Sequence, residues 1–177
     1  MVHEELDGLT KAGADYIQLD EPWLAHPPHG LTLHDGVDAI NRTLSGLSGR
    51  LAVHVCFGNN AGRPFADRRL DRLLDALINL RCHSLALEFA NREMAGVDLL
   101  APLSERFDIA AGVIDVKNFY IESGEDVARR IRLCLAHMPA EKLTVTADCG
   151  FSALPRYLAR AKLQAMVAGA RIVRDEL

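Results

Sequence analysis

The chain has 177 residues, 49% of them hydrophobic and 25% charged, and carries a formal net charge of −4. This is enough apolar material for one globular domain covering residues 1–177, and the negative balance argues against a nucleic-acid or anionic-membrane partner because there is no basic field to attract polyanions. No apolar stretch approaches the roughly 20 residues needed to cross a bilayer.

The opening residues, Met1-Val-His-Glu-Glu-Leu-Asp7, lack the charged-then-apolar pattern of a signal peptide. The cytoplasm is therefore the expected location, where Cys56, Cys82, Cys134 and Cys149 stay reduced. Their spacing makes neither a disulfide framework nor a zinc ribbon.

In chain order, the pattern predicts a short helix over Glu4–Ala12 ended by Gly13, then a strand over Tyr16–Asp20 stopped by Pro22. A Pro/His/Gly-rich loop, Ala25 to Thr32, leads into a helix over His34–Leu47 and an apolar strand, Leu51–Phe57. Leu70, Leu73, Leu74 and Leu77, spaced by three or four, predict an amphipathic helix within Ala66–Leu80. There follow a strand over Ser84–Glu88, a short helix within Val97–Arg106, and a strand over Ile109–Asp115. Ser123-x-x-Asp126 resembles a capping box with Asp in place of Glu, opening a helix to about His137. A strand over Leu143–Cys149 and a last helix from Ala153 to about Val173 complete the series.

Strands alternating with helices imply a parallel sheet with right-handed crossovers. The alternation alone does not separate a closed barrel from an open doubly wound sheet. The position of the chemistry-bearing residues favours a barrel, because they close non-adjacent strands whose carboxyl ends only a barrel brings round one mouth. A complete barrel has eight strands in about 250 residues, whereas five strands are legible here. The expectation is therefore an α/β fold of the (β/α)8 TIM-barrel type, represented by its C-terminal five strand–helix units, with the rest truncated, misassigned at the start, or supplied by another chain.

His54-Val-Cys56 carries the strongest chemical signal. Residues two apart on a strand point to the same side, so an imidazole and a thiolate converge as a zinc ion requires. Glu88 and Cys149 close two other strands. Any one of these residues alone is more simply a core residue; the four together describe a Cys₂-His-Glu shell for Zn²⁺. Such a shell is electron-rich, which damps the acidity of a bound water and suits activation of a substrate thiol, with Glu88 the weakest donor and the ligand that yields to an incoming sulfur.

Asp20-Glu21-Pro22 leaves carboxylates at a strand end, either facing a pocket or forming a solvated acidic turn, and Gln18 shares the face of Asp20. Asp115 and Lys117, also two apart, could both face the mouth or pair with each other at the surface. Asp148 precedes a ligand and points to the opposite face, where it would hydrogen-bond His54 or cap the next loop. His26, His29 and His34 crowd one loop with Trp23, which reads as a solvated surface segment or a lid, and Asn59-Asn60-Ala-Gly-Arg63 lacks the glycine spacing of a phosphate loop.

Taken together, His54-Val-Cys56 with Gly58-Asn59, Leu87-Glu-Phe89, Gly112-Val-Ile-Asp-Val-Lys117 and Asp148-Cys-Gly-Phe151 resemble the C-terminal catalytic domain of cobalamin-independent methionine synthase, in particular its shorter single-barrel relatives. The resemblance runs from Gln18-Leu-Asp-Glu-Pro22 to the last helix. It implies a zinc-dependent methyltransferase in which residues matching His54, Cys56, Glu88 and Cys149 hold the metal. The implied substrate is homocysteine, methylated on sulfur from a methyl-tetrahydrofolate or a similar donor, and Asp20, with Glu21 and Gln18 beside it, would receive its amino group.

Larger members carry a histidine near the position of Lys117, associated with proton handling, so the lysine puts that role in doubt while leaving Lys117 and Asp115 as catalytic candidates. Two other readings stay open. One is alkyl transfer to another thiol of the coenzyme M type; the other is an inactive zinc-binding fragment awaiting a partner chain or a second copy to complete its barrel.

Overall fold

The computed structural model describes residues 1–177 as five parallel strands, each followed by helical turns. The strands are β1 (Tyr16–Asp20), β2 (Arg50–Val55), β3 (Ser84–Glu88), β4 (Asp108–Ile114) and β5 (Leu143–Ala147). They lie side by side in the order in which they occur, all parallel. A doubly wound sheet reverses its strand order at a switch point. Monotonic order with crossovers of one hand instead puts every helix on one face, which is how a barrel wall is built. The predicted five-unit portion of a TIM-type barrel is therefore the observed fold, with β1 and β5 as the two edges of the sheet.

Alternation divides the strands cleanly. Ile17, Leu51, Val53, Val55, Leu85, Leu87, Ile109 and Ala111 point to the helix side and form the larger core with Leu70, Leu73, Leu77 and Leu100. The intervening positions, among them Gln18, Ala52, Ala86 and Ala110, form the other, concave face. Small side chains there leave room above the sheet. A smaller core joins Val113, Ile114 and Val116 to Val127 and Ile131 of α5 (Gly124–Leu135) and Val173 of α6 (Arg156–Arg174).

Helix boundaries follow their caps. α1 is Val2–Lys11, and α2 (Leu33–Leu44) starts from a Thr32/Asp35 capping box of the same Asp-for-Glu kind that starts α5 at Ser123/Asp126. Thr32-x-x-Asp35 spans the junction of the predicted loop and helix and has the same spacing as Ser123-x-x-Asp126.

The amphipathic stretch 66–80 departs from expectation. Only a 3₁₀ turn at Leu70–Arg72 and the single turn α3 (Leu74–Leu77) are helical. Leu70, Leu73 and Leu77 are buried as the spacing required. The amides of Phe65 and Ala66 are both bound to the Phe57 carbonyl at 2.9 and 3.2 Å, which ties the start of the segment to the loop after β2. Similarly, Val97–Leu99 is a 3₁₀ turn ahead of the short helix α4 (Leu100–Ser104). No helix is long and apolar enough to cross a membrane.

Candidate metal centre

The carboxyl end of β2 presents His54 on the concave face, and Cys56 follows just past the strand. Cys149 lies two residues beyond β5. Although 95 residues separate His54 from Cys149 in the sequence, curvature brings the ends together: ligand atoms of His54, Cys56 and Cys149 all lie within 4.8 Å of one another. His54 and Cys56 are buried and Cys149 is half-buried. The imidazole is oriented by its Nδ1, 3.3 Å from the carbonyl oxygen of Ala86. Because a carbonyl only accepts, this contact puts the proton on Nδ1 and leaves Nε2 as the free donor atom.

The electrostatics favour one ionised thiol. The neighbouring Cys56 thiol is the main influence lowering Cys149 against its burial, and His54 adds to it. Conversely, the Cys149 sulfur and burial push Cys56 up. Burial acts against charging His54, but the adjacent Cys149 more than offsets it, so the imidazole is raised. A buried thiol–thiolate–imidazole trio of this kind fits a soft or borderline divalent cation, whose charge would replace the shared protons.

Several buried bonds hold the three donors in place. Asp148, fully buried, accepts from the amides of Phe89 and Ala90, both at 2.9 Å, and from the amide and side chain of Asn91 at 2.6 and 2.8 Å. Burial pushes this carboxyl upward, yet all four partners are N–H donors, so the site is built for the carboxylate. Of the two expected roles, a bond to His54 or a cap on the following loop, Asp148 takes neither; the side chain instead staples the end of β5 to the end of β3.

Gly112 on β4 makes the staple sterically feasible, since a Cβ there would lie 2.3 Å from Asp148 Oδ1. Asn59 donates to the Gly150 carbonyl at 3.0 Å, bridging the loops that carry Cys56 and Cys149. Gly58, at φ +89°, lets the Phe65 ring close over the same loop, and Trp23 stacks on Phe65 at 4.9 Å. Sequence reading missed Asn59, Asn91 and Gly112 as positioning residues. A glycine beside a strand end was the available signal.

The remaining candidates separate. Asp20 lies opposite His54 in the β1–β2 register and accepts from Gln18 Nε2 at 2.8 Å. Gln18, Asp20, His54 and Cys149 line one cavity of about 250 Å³ floored by Ala86 and Ala110. Glu21 is elsewhere: its carboxylate accepts from the Trp23 amide at 3.0 Å, capping a 3₁₀ turn. It borders an apolar groove of about 340 Å³ where no other titratable side chain converges.

Glu88 is buried beside the trio but stands outside it; its Oε2 is 2.6 Å from Lys117 Nζ. Asp115 does not pair with the Lys117 ammonium. It accepts instead from the Lys117 amide at 2.7 Å and from the Asn118 side chain, shaping the loop after β4. The ammonium of Lys117 is thus neither at the surface nor free in the mouth.

Comparison with known proteins agrees with this architecture. The family model described as cobalamin-independent synthase, catalytic domain, matches residues 1–172. The methionine synthase of Pyrococcus abyssi is 37% identical over the whole chain, which spans 48% of that protein, and that of Saccharolobus solfataricus is 33% identical over 99% of the chain and 49% of its own length. The chain thus covers about half the length of these curated relatives. A B12-independent methionine synthase from Shewanella sp. W3-18-1, solved in complex with selenomethionine, superposes with a TM-score of 0.84 at 30% identity, covering 99% of this chain and 53% of that one. With the family model spanning nearly every residue and a shared fold at that level of identity, the chain belongs to the cobalamin-independent synthase family and corresponds to part of its catalytic domain.

Proposed function

We propose that this chain forms the zinc-bearing part of a methyltransferase that methylates the thiol of homocysteine to give methionine, with methyl-tetrahydrofolate or a similar carrier as donor. The observation that carries the reading is the convergence of His54, Cys56 and Cys149 within 4.8 Å at the mouth of the concave face. Two sulfurs and an imidazole nitrogen form a donor set suited to Zn²⁺. When bound, the metal supplies a lowered pKa for the substrate thiol while the electron-rich donors keep the resulting thiolate nucleophilic.

The protein's own part is positioning. His54 offers Nε2 because Ala86 occupies Nδ1. Asp20, oriented by Gln18, offers a carboxylate to an amino group in the same cavity that His54 and Cys149 line. The selenomethionine bound by the similar Shewanella enzyme, an analogue of methionine, supports an amino acid of this size as occupant.

The test is direct. Freshly purified protein is expected to hold about one zinc per chain, and Cys56→Ser or Cys149→Ser to lose it. Calorimetric titration is expected to favour homocysteine over coenzyme M. Absence of zinc from the purified chain would overturn the reading.

One observation favours a second, compatible reading. β1 and β5 each pair on one side only, and the chain spans about half of its curated relatives. The mouth would then need further strands, in the same polypeptide or from a partner or second copy, before it transfers a methyl group. Methyl transfer by the 177-residue chain alone would eliminate that reading.

A further inference from the structure

A second concave site lies apart from the metal centre, on the helix side of β1. It is the apolar groove of about 340 Å³ bounded by α1, α2 and the loop after β1. Leu24 and Ile40, both buried, floor it, while Val2, Trp23 and Leu31 form lips that are 49%, 54% and 55% exposed. Large apolar side chains left open round one hollow mark a binding surface, and the volume falls in the range of about 300–1,000 Å³ usual for small-molecule sites.

The groove has one charged group, and that group is fixed in place. The Glu21 amide donates to the His54 carbonyl at 2.8 Å, and Glu21 Oε1 accepts from the Trp23 amide at 3.0 Å. The other carboxylate oxygen, Oε2, has no partner in the protein. The indole of Trp23 is held as well, with its ring centroid 4.9 Å from that of Phe65. A free carboxylate oxygen beside an indole, on otherwise apolar walls, is the arrangement that recognises a cation carried on an apolar body.

The wider field has the same sign. Residues 1–43, which supply every wall of the groove, contain eight carboxylates against only Lys11 and Arg42. Cations are therefore drawn toward this edge of the molecule and anions repelled. A neutral apolar ligand would cover Oε2 and strip its water without replacing the hydrogen bond, which costs affinity.

We infer that the groove is a binding site for a small organic cation, an ammonium or amidinium group on an aromatic or branched apolar body. The head pairs with Glu21 Oε2, and the body lies against Trp23, Leu24 and Ile40. The site is distinct from the cavity lined by His54 and Cys149, because Leu19 and Asp20 point to opposite sides of β1. It does not depend on the zinc reading.

Trp23 is the only tryptophan of the chain, so its emission reports directly on the groove. The full chain is titrated with 2-phenylethylamine, with 2-phenylethanol as the neutral analogue of the same shape, and with 3-phenylpropanoate as the anion. The amine is expected to shift Trp23 emission saturably with a Kd of about 1 mM or tighter. The alcohol is expected to bind about 10-fold more weakly, and the anion not at all. Protein loaded with zinc and protein stripped by a chelator are expected to give the same values.

Glu21→Gln keeps an acceptor for the Trp23 amide but removes the charge. It is expected to weaken the amine about 10-fold and leave the alcohol unchanged. Ala39→Leu, at an exposed α2 position lining the groove, is expected to fill it and abolish both. Equal affinity for amine and alcohol, or an amine affinity unchanged by Glu21→Gln, would overturn the inference. So would loss of amine binding in Asp20→Asn, which would put the amine in the cavity beside His54. If Glu21→Gln does not fold, Ala39→Leu carries the test, and amine binding retained in it would overturn the inference.

Discussion

Removing the Asp148 carboxylate should loosen the whole carboxyl end of the sheet. In Asp148→Ala, four donors lose their acceptor, and two of them, the amides of Phe89 and Ala90, belong to residues only 0% and 3% exposed. Water cannot readily replace the carboxylate there, whereas half-buried Asn91 can be rehydrated. Hydrogen bonds to a charged acceptor contribute about 1.5–3 kcal/mol each, so the two buried amides alone give a loss of roughly 3–6 kcal/mol.

That is a large share of the 5–15 kcal/mol by which domains are typically stable. Asp148→Asn keeps one acceptor oxygen but turns an NH₂ group toward amide donors, so it should retain only part of the stability. Urea unfolding followed by circular dichroism measures both. The staple also sets the position of Cys149, its neighbour, so zinc should dissociate faster from Asp148→Asn at temperatures where the fold persists. An Asp148→Ala protein within about 1 kcal/mol of wild type would refute the reasoning, since it would mean the buried amides had found other acceptors.

Gly112→Ala probes the same staple from the other side. Its Cβ would meet Asp148 Oδ1 at 2.3 Å and the Leu87 carbonyl oxygen at 3.0 Å, so overpacking should destabilise the protein by about 1–3 kcal/mol in the same unfolding assay. Asn59→Ala removes the bond to the Gly150 carbonyl, and because the side chain is exposed the stability loss should stay near or below about 1 kcal/mol. Its effect should appear instead as about 10-fold weaker zinc binding in competition with a chelator. For Glu122, burial raises the carboxyl, but Lys162 and the Asp115 amide outweigh it and leave the group below its ordinary value. The stability contributed by a depressed carboxyl is complete above its unfolded value of about 4.3 and disappears as pH falls through the lower folded value. Glu122→Gln should therefore flatten the acid limb of the stability–pH curve below that point. An unchanged limb would show that Lys162 does not hold the charge.

Much of this protein is determined by short-range sequence. The five strands are legible from apolar runs, and the common side of His54 and Cys56 from the two-residue period of a strand. The α5 cap follows from Ser123-x-x-Asp126. These features depend on residues a few positions apart, where backbone geometry leaves little choice. Tertiary structure decided the partners of the charged groups. Glu88 was legible as a candidate ligand, but only curvature of the sheet and the braced loop after β4 put Lys117, 29 residues away, against it. Asp148 binds the β3 end rather than His54, and Glu21 turns back to its own backbone. Asp115 shapes its loop instead of meeting the Lys117 ammonium. Leu70, Leu73 and Leu77 are buried as their spacing required, but the chain there winds only as a 3₁₀ turn and a single α turn. A buried carboxylate takes the donor that the fold delivers within about 3 Å, and that depends on strand register and loop path rather than on local pattern.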